Sequence, residues 1–385
     1  MKWSLILFSY FSLFLFGLID NSRGPLYPEI LSFFNLTNSQ GSLLFSLSSG
    51  FGFVVTIFSG TIFRIFGVNN SVKVSVCLLI ISTFIYGFFA SDASRFHLFL
   101  LGSVFLGISV GLLSVGNNLI ISRNVEDDKK QMVFSGLHAM YGLASFSAPL
   151  VLSFYLSSGQ SWHTFFFVLS VCASVVFLIF LPVKNDIYEP KTNSTIYVDK
   201  KSSLRLGLLI SLYVSSEILV STRMVIYINE VWSVDPSKSA LFLSIFFLFL
   251  LIGRLSFAFI KIKFDELTLL KISSGLSVVS IILGMWVHPF FLSLCGLSMS
   301  YFFPCVLGWV SKTYQEKADE LIPMMMKFVN GMIVIIHGVF GVVSDAFGIK
   351  VAFSLGFIFQ LIVLYLLQKQ SSEPRISASH GSVST

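Results

Sequence analysis

The sequence predicts an all-α polytopic membrane protein, twelve transmembrane helices in two six-helix halves. Hydrophobic residues make up 55% of the chain and charged residues 11%, with a mean hydropathy of +0.86, whereas a water-soluble globule carries roughly 25% charge. The apolar runs are long enough to cross a hydrocarbon core of about 30 Å at about 1.5 Å per helical residue. A polar stretch at 183–203, rich in Lys, Asp, Asn and Thr, separates six such runs from six more.

Taken in order, the first run, centred on Phe14, is uncharged from Trp3 to Ile19 and then meets Asp20, Asn21, Arg23, Gly24 and Pro25 before apolar character returns at Leu31–Phe34. Either Asp20 caps a span that ends there, with Arg23 solvated in a loop, or the helix runs on and holds both at membrane depth. The second span, centred on Gly52, opens with Asn38–Ser46 behind a cap at Thr37 or Asn38. Spans three to six centre on Ile81, Ser109, Ala144 and Ser174, and span seven on Ser216. Span eight, around Phe249, opens with Pro236–Ser244 behind Asp235. That Ser-rich segment echoes Asn38–Ser46 six spans earlier, which suggests parallel repeats. Val278, Gly296, Val334 and Ile358 mark the last four spans. The expected organisation is a half at 1–182, a cytoplasmic linker at 183–203, a half at 204–370 and a disordered cytoplasmic tail at 371–385.

Orientation follows from the basic residues. With both termini cytoplasmic, all 25 Lys and Arg except Arg23, Arg95, Arg223, Lys238 and Lys350 lie at or near the inner side of an inner or plasma membrane. Dispersed in short loops, they give the net charge of +6 a topological meaning and argue against a nucleic-acid partner. Only Lys2 precedes the first apolar run and no small-residue cleavage site follows it, so an uncleaved first span is expected. Cys77, Cys172, Cys295 and Cys305 sit in apolar runs without metal-ligand spacing and read as packing residues. No metal or cofactor is expected.

Ionisable residues at membrane depth are the functional candidates. Glu217 stands mid-span in the seventh run, far from any loop, and is the strongest of them. It faces the cavity for proton or solute binding, or else bonds another helix. Arg223, six residues on, lies roughly 120° around the helix from Glu217. It meets a carboxylate of the other half, such as Asp20, or reaches the interface. Asn117 and Asn118 offer amide donors and acceptors suited to solute hydroxyls or to helix packing. His138 and Tyr141 share a face at i,i+3, with a site role or an interhelical one. Asn330 and His337, seven apart, are nearly aligned on span eleven. Among the aromatic residues only Tyr141, Tyr213, Tyr227 and Trp309 are candidates, because most of the 43 Phe must face lipid or neighbouring helices.

Two six-helix halves, a polar central loop and a half-repeat resemble the major facilitator superfamily of secondary transporters. Gly60-Thr61-Ile62-Phe63-Arg64-Ile65-Phe66-Gly67 keeps both glycines of that superfamily's loop between spans two and three, with Arg64 in place of its Asp and Ile65 in place of its Arg. Within the superfamily the chain is similar to the fucose permease branch. The likeness rests on Asp20-Asn21-x-Arg23-Gly24-Pro25 with Pro28 and on Gly107-x-x-x-Gly111 followed by Asn117 and Asn118. It also rests on His138-x-x-Tyr141-Gly142 with Pro149 and on Tyr213-Val214-Ser215-Ser216-Glu217 with Tyr227. Phe303-Pro304 and Gly341-x-x-x-Asp345-x-x-Gly348 complete it. His337 stands where relatives usually have Pro.

This resemblance implies a secondary active transporter of a small polar, sugar-like solute, working by alternating access with proton symport. Asp20 and Glu217 would be the proton-coupling carboxylates; Asn21, Arg23, Asn117, Asn118, His138, Tyr141, Tyr213, Arg223, Tyr227, Asn330 and His337 would contact solute. The expected partners are the solute, protons and the bilayer, and the expected state is a monomer. A proton-antiporting exporter of drugs or metabolites shares the architecture. A multispan membrane enzyme would need clustered His, Asp or Glu, and none of the six His has His-x-x-x-His or His-Glu-x-x-His spacing.

Overall fold

Backbone N–H and C=O groups in hydrocarbon must be satisfied within the chain, so long apolar segments cross as helices. The computed structural model describes residues 2–184, 200–259, 264–314 and 318–372. Twelve helices among them are long and apolar enough to span a membrane: Trp3–Phe34, Asn38–Phe66, Val68–Ser91, Ala93–Asn124, Met132–Ser157, Trp162–Phe180, Ser203–Trp232, Pro236–Ser256, Glu266–Trp286, Phe290–Tyr314, Leu321–Phe347 and Ile349–Gln370. They are called spans one to twelve below. Each predicted centre falls within its span. Most of the expected linker and tail, at 185–199 and 373–385, lies outside the described residues.

Span one decides between the two readings of Asp20. The helix is 32 residues long, Trp3–Phe34; it runs on past Asp20 and through Pro25 and Pro28, and is capped by Asn35 in the left-handed conformation. Proline removes an N–H and ordinarily breaks a helix. Here Leu26 and Tyr27 between the prolines and Ile30 just after them, all fully buried, hold the segment in register. The loop-and-cap reading is therefore corrected: Asp20 sits mid-helix, and Arg23 is buried rather than solvated.

Both repeated segments start helices. The Thr37 hydroxyl accepts the Gln40 N–H at 3.3 Å while Gln40 Oε1 accepts the Thr37 N–H at 3.0 Å, a capping box that selects Thr37 over Asn38 as the cap. At span eight the Asp235 carboxylate accepts the Ser237 N–H at 2.9 Å and its hydroxyl at 2.6 Å. The Ser237 hydroxyl, then its N–H, hold the Asp235 carboxyl below the ordinary aspartate range.

Span ten is interrupted between Phe290–Met299 and Phe302–Tyr314, and Pro304 occupies the first turn of the second piece, where its missing N–H costs little. The carbonyls around the break are taken by side chains from three other spans. Ser273 Oγ donates to Ser298 O at 2.6 Å, Tyr213 Oη to Met299 O at 2.5 Å, and Arg254 Nε to Ser300 O at 3.4 Å.

Spans one to six pack on one another, with two and three against four, one against five and three against six. Spans seven to twelve repeat the arrangement, with eight and nine against ten, seven against eleven and nine against twelve. The halves meet where span two crosses eleven, five crosses eight and one crosses seven. Glycine permits the closest approaches. A Cβ on Gly341 would lie 2.7 Å from Ser39 Cα, and one on Gly24 would lie 3.1 Å from the Thr222 carbonyl oxygen.

Candidate functional site

Between the halves lies a cavity of about 400 Å³ with walls from spans one, two, four, five, seven, eight and eleven. Of the predicted site residues, Asp20, Asn21, Arg23, Tyr141, Glu217, Asn330 and His337 line it.

An ion in hydrocarbon costs about 2.5–3.5 kcal/mol on insertion scales, so each charge here needs a partner. Asp20 and Arg23, one turn apart on span one, pair directly. Tyr141 Oη donates to the second Asp20 oxygen at 3.2 Å, and Arg23 Nη1 donates to Ser48 Oγ at 2.8 Å. Asn21 donates to Ser145 Oγ at 3.1 Å and to the Gly17 carbonyl at 2.9 Å, tying span one to span five. Across the cavity Glu217 pairs with Arg254 of span eight at 3.5 Å. Because Arg254 also bonds the Ser300 carbonyl, the carboxylate is linked to the break in span ten. His337 stacks on Phe45 with ring centroids 5.0 Å apart. Ser48, Ser49, Thr56, Ser221 and Thr222 add hydroxyls to the walls.

The remaining candidates lie off the cavity. Asn117 is buried and accepts from Ser12 Oγ at 3.3 Å, while half-buried Asn118 donates to the Ser114 carbonyl of its own helix at 2.6 Å. His138 is exposed, away from the cavity that its helix neighbour Tyr141 lines. Tyr213 stacks on Phe302 at 3.8 Å and is spent on the span-ten break. Tyr227 stacks on Phe353 at 4.2 Å and donates to the Met285 carbonyl at 3.2 Å. Trp309 is buried off the cavity as well. Asn117, Tyr213 and Tyr227 are thus bonded to neighbouring helices rather than open to the cavity.

Arg223 departs from both of its expectations. It is fully buried, donates to Ser42 Oγ at 3.2 Å and packs against the rings of Tyr27, Phe45 and Phe340. Asp20 does not reach it because Arg23, one turn along the same helix, takes that carboxylate.

Beyond Arg223, at the end of the bundle opposite the chain termini, Asp345 of span eleven accepts the first two N–H groups of span two, from Asn38 and Ser39, each at 2.8 Å. Ser153 Oγ donates to the Ser237 carbonyl at 2.7 Å across the five–eight contact. Among the described residues, hydrogen bonds between the halves lie at this end or at mid-depth, the latter being Ser46 to Val334 and Ser244 to Phe146. Among the described residues no three of His, Cys, Asp and Glu gather as metal ligands would.

Twelve spans in two packed halves around a mid-depth polar cavity define a multi-pass membrane transporter. The Major Facilitator Superfamily profile matches residues 9–336, and the chain belongs to that superfamily. The glucose/mannose transporter GlcP of Bacillus subtilis (strain 168) is 24% identical over 339 residues, 82% of each chain. A crystal structure of a D-xylose-proton symporter superposes with a TM-score of 0.72 at 15% identity, covering 95% of this chain and 97% of that one. FucP, crystallised in the outward conformation, superposes with a TM-score of 0.61 at 16% identity, covering 96% and 99%.

Proposed function

We propose that this chain is a proton-coupled symporter of a small polar, sugar-like solute, working by alternating access between halves at 1–182 and 204–370. The observation that carries the reading is a cavity between the halves with a carboxylate on each side, Asp20 and Glu217, each held by an arginine and each partly open to the cavity. A carboxylate that exchanges its arginine for a proton changes the charge of the site, which is what coupling solute movement to a proton gradient requires. Hydroxyl and amide groups on the same walls match solute hydroxyls without adding charge. The glucose/mannose transporter supports this solute class, and FucP, a fucose:proton symporter, and the D-xylose-proton symporter support both the solute class and the proton.

With the termini cytoplasmic in an inner or plasma membrane, the closed end faces outward and this conformation is the inward-facing one. The looser superposition on FucP, crystallised outward, is in keeping with that. Reconstitution in liposomes with an imposed proton gradient tests the proposal, using labelled neutral sugars, sugar acids, amino acids and nucleosides. Uptake is expected to follow the gradient in the native protein and to lose that dependence in Asp20→Asn and in Glu217→Gln. Undiminished gradient-driven uptake in both variants would sink the assignment of the carboxylates.

A further inference from the structure

Arg223 is a buried cation without an anion. Its Nη2 donates to Ser42 Oγ, while Nε and Nη1 have no hydrogen-bond partner and no described carboxylate pairs with it. In place of an anion it has aromatic faces, with its guanidinium carbon 4.2 Å from the Tyr27 ring, 4.3 Å from Phe45 and 4.8 Å from Phe340. Such faces attract a cation but do not neutralise it.

The origin of those groups gives the arrangement its meaning. Tyr27, Ser42 and Phe45 belong to the first half and Arg223 to the second, so the cage is whole only while the halves meet at the end opposite the termini. Phe45 is also a wall of the cavity, and Arg23 packs on the same ring at 5.1 Å. Two guanidinium groups, one from each half, thus approach one cavity-wall ring, on which His337 also stacks, and among the described residues Asp20 is the sole carboxylate paired to either. On the alternating-access reading, parting of the halves at this end takes Tyr27, Ser42 and Phe45 away from Arg223, leaves Phe340 of its own half beside it and opens it to the widened cavity, where a solute anion can reach it.

We infer that Arg23 and Arg223 form a two-sided clamp for an acidic group of the transported solute, assembled as the closed end opens, and that the solute is a small polyhydroxy carboxylate. The inference rests on the alternating-access reading above and narrows its solute class. Guanidinium groups bind carboxylates through paired N–H donors in one plane. Two guanidinium charges against Asp20 leave one positive charge, which matches a carboxylate better than a phosphate, whose charge approaches −2. The hydroxyls of Ser48, Ser49, Ser221 and Thr222 then serve the rest of the solute.

The test compares D-glucuronate and D-gluconate with D-glucose as labelled substrates and as competitors in proteoliposomes of the native protein. The expected result is saturable uptake of at least one acid with kcat/KM about tenfold or more above that of glucose. In Arg223→Gln that preference is expected to fall by about tenfold, with partial recovery in Arg223→Lys. Glucose uptake undisturbed by excess acid would overturn the inference and leave the transporter reading intact. Failure of the folded native protein to take up any of the three would count against both. The comparison in the native protein decides the matter even where Arg223→Gln does not fold.

Discussion

Replacing Asp345 with Ala is expected to open the bundle at the end where span eleven meets span two. The carboxylate accepts two N–H groups at 2.8 Å from the start of span two, and its charge faces the positive end of that helix. Because the side chain is exposed, water competes for both donors, so each bond contributes about 0.5–1 kcal/mol and the helix dipole a further 0.3–1 kcal/mol. The sum is about 2 kcal/mol, or about a 30-fold shift in the ratio of closed to open conformers at about 1.4 kcal/mol per factor of ten. Spin labels at Asn35 and Ser233, exposed on opposite halves at this end, would report the shift as a longer-distance population in pulsed electron resonance. Gln40→Ala is the control, since it removes the acceptor of the Thr37 N–H at the start of the same helix and leaves both N–H bonds to Asp345 in place. It should lower thermal stability and leave the distances alone. An unchanged distribution in Asp345→Ala, or an equal shift in Gln40→Ala, would refute the argument.

Gly341→Val should shift the same distances further, because its Cβ would fall 2.7 Å from Ser39 Cα and 2.8 Å from the Asn38 oxygen, and those backbone atoms cannot turn aside. Ser48→Ala should cost about 1–3 kcal/mol in unfolding measurements by leaving the buried Arg23 Nη1 without an acceptor, while Ser49→Ala stays within about 0.5 kcal/mol. Asp235→Ala should cost about 0.5–2 kcal/mol at pH 7 through loss of the span-eight cap. Ser237 holds the Asp235 carboxyl below its ordinary range, so its contribution is present above the unfolded value of about 3.9 and fades as pH falls through the folded one. Thermal unfolding of the native protein and Asp235→Ala should therefore differ from pH 5 to 8 and converge below about pH 3.

The fold was legible because length and hydropathy set it, and each of the twelve centres falls inside a span. Glu217 was legible for a related reason: a carboxylate in the middle of its span, a dozen or more residues from Arg205 and from Glu230 at the ends, stands out against hydrocarbon. Its partner was hidden. Arg254 lies near the end of span eight, where basic residues ordinarily mark the cytoplasmic side, and nothing local separates a topological arginine from one that reaches back to a cavity. Asn117, Tyr213 and Tyr227 show the converse. Their chemistry suits a solute and suits a neighbouring helix equally, and the choice depends on the rotation of each span. In a helix apolar on both its lipid and its protein faces, no polar stripe records that rotation.

The Ser-rich repeat carries more than its sequence reading allowed. Asn38–Ser46 and Pro236–Ser244 both lie where one half touches the other, the first against span eleven and the second against span five. Small hydroxyl side chains let helices approach closely and bond across the seam without burying charge. That explains why two segments related by the internal repeat share a composition found at neither of their opposite ends. The repeat departs from symmetry at the charged positions. Asp345 faces one seam with a carboxylate, whereas Ser153 meets the other with a hydroxyl, and Arg223 belongs to the side that carries the carboxylate. Charge is concentrated at the seam between spans two and eleven, and the five–eight seam is held by neutral hydrogen bonds. Separating the first uncovers the buried guanidinium of Arg223, whose hydration favours opening, and frees the already exposed Asp345 from its two N–H donors; separating the second breaks the neutral bonds of Ser153 and Ser244.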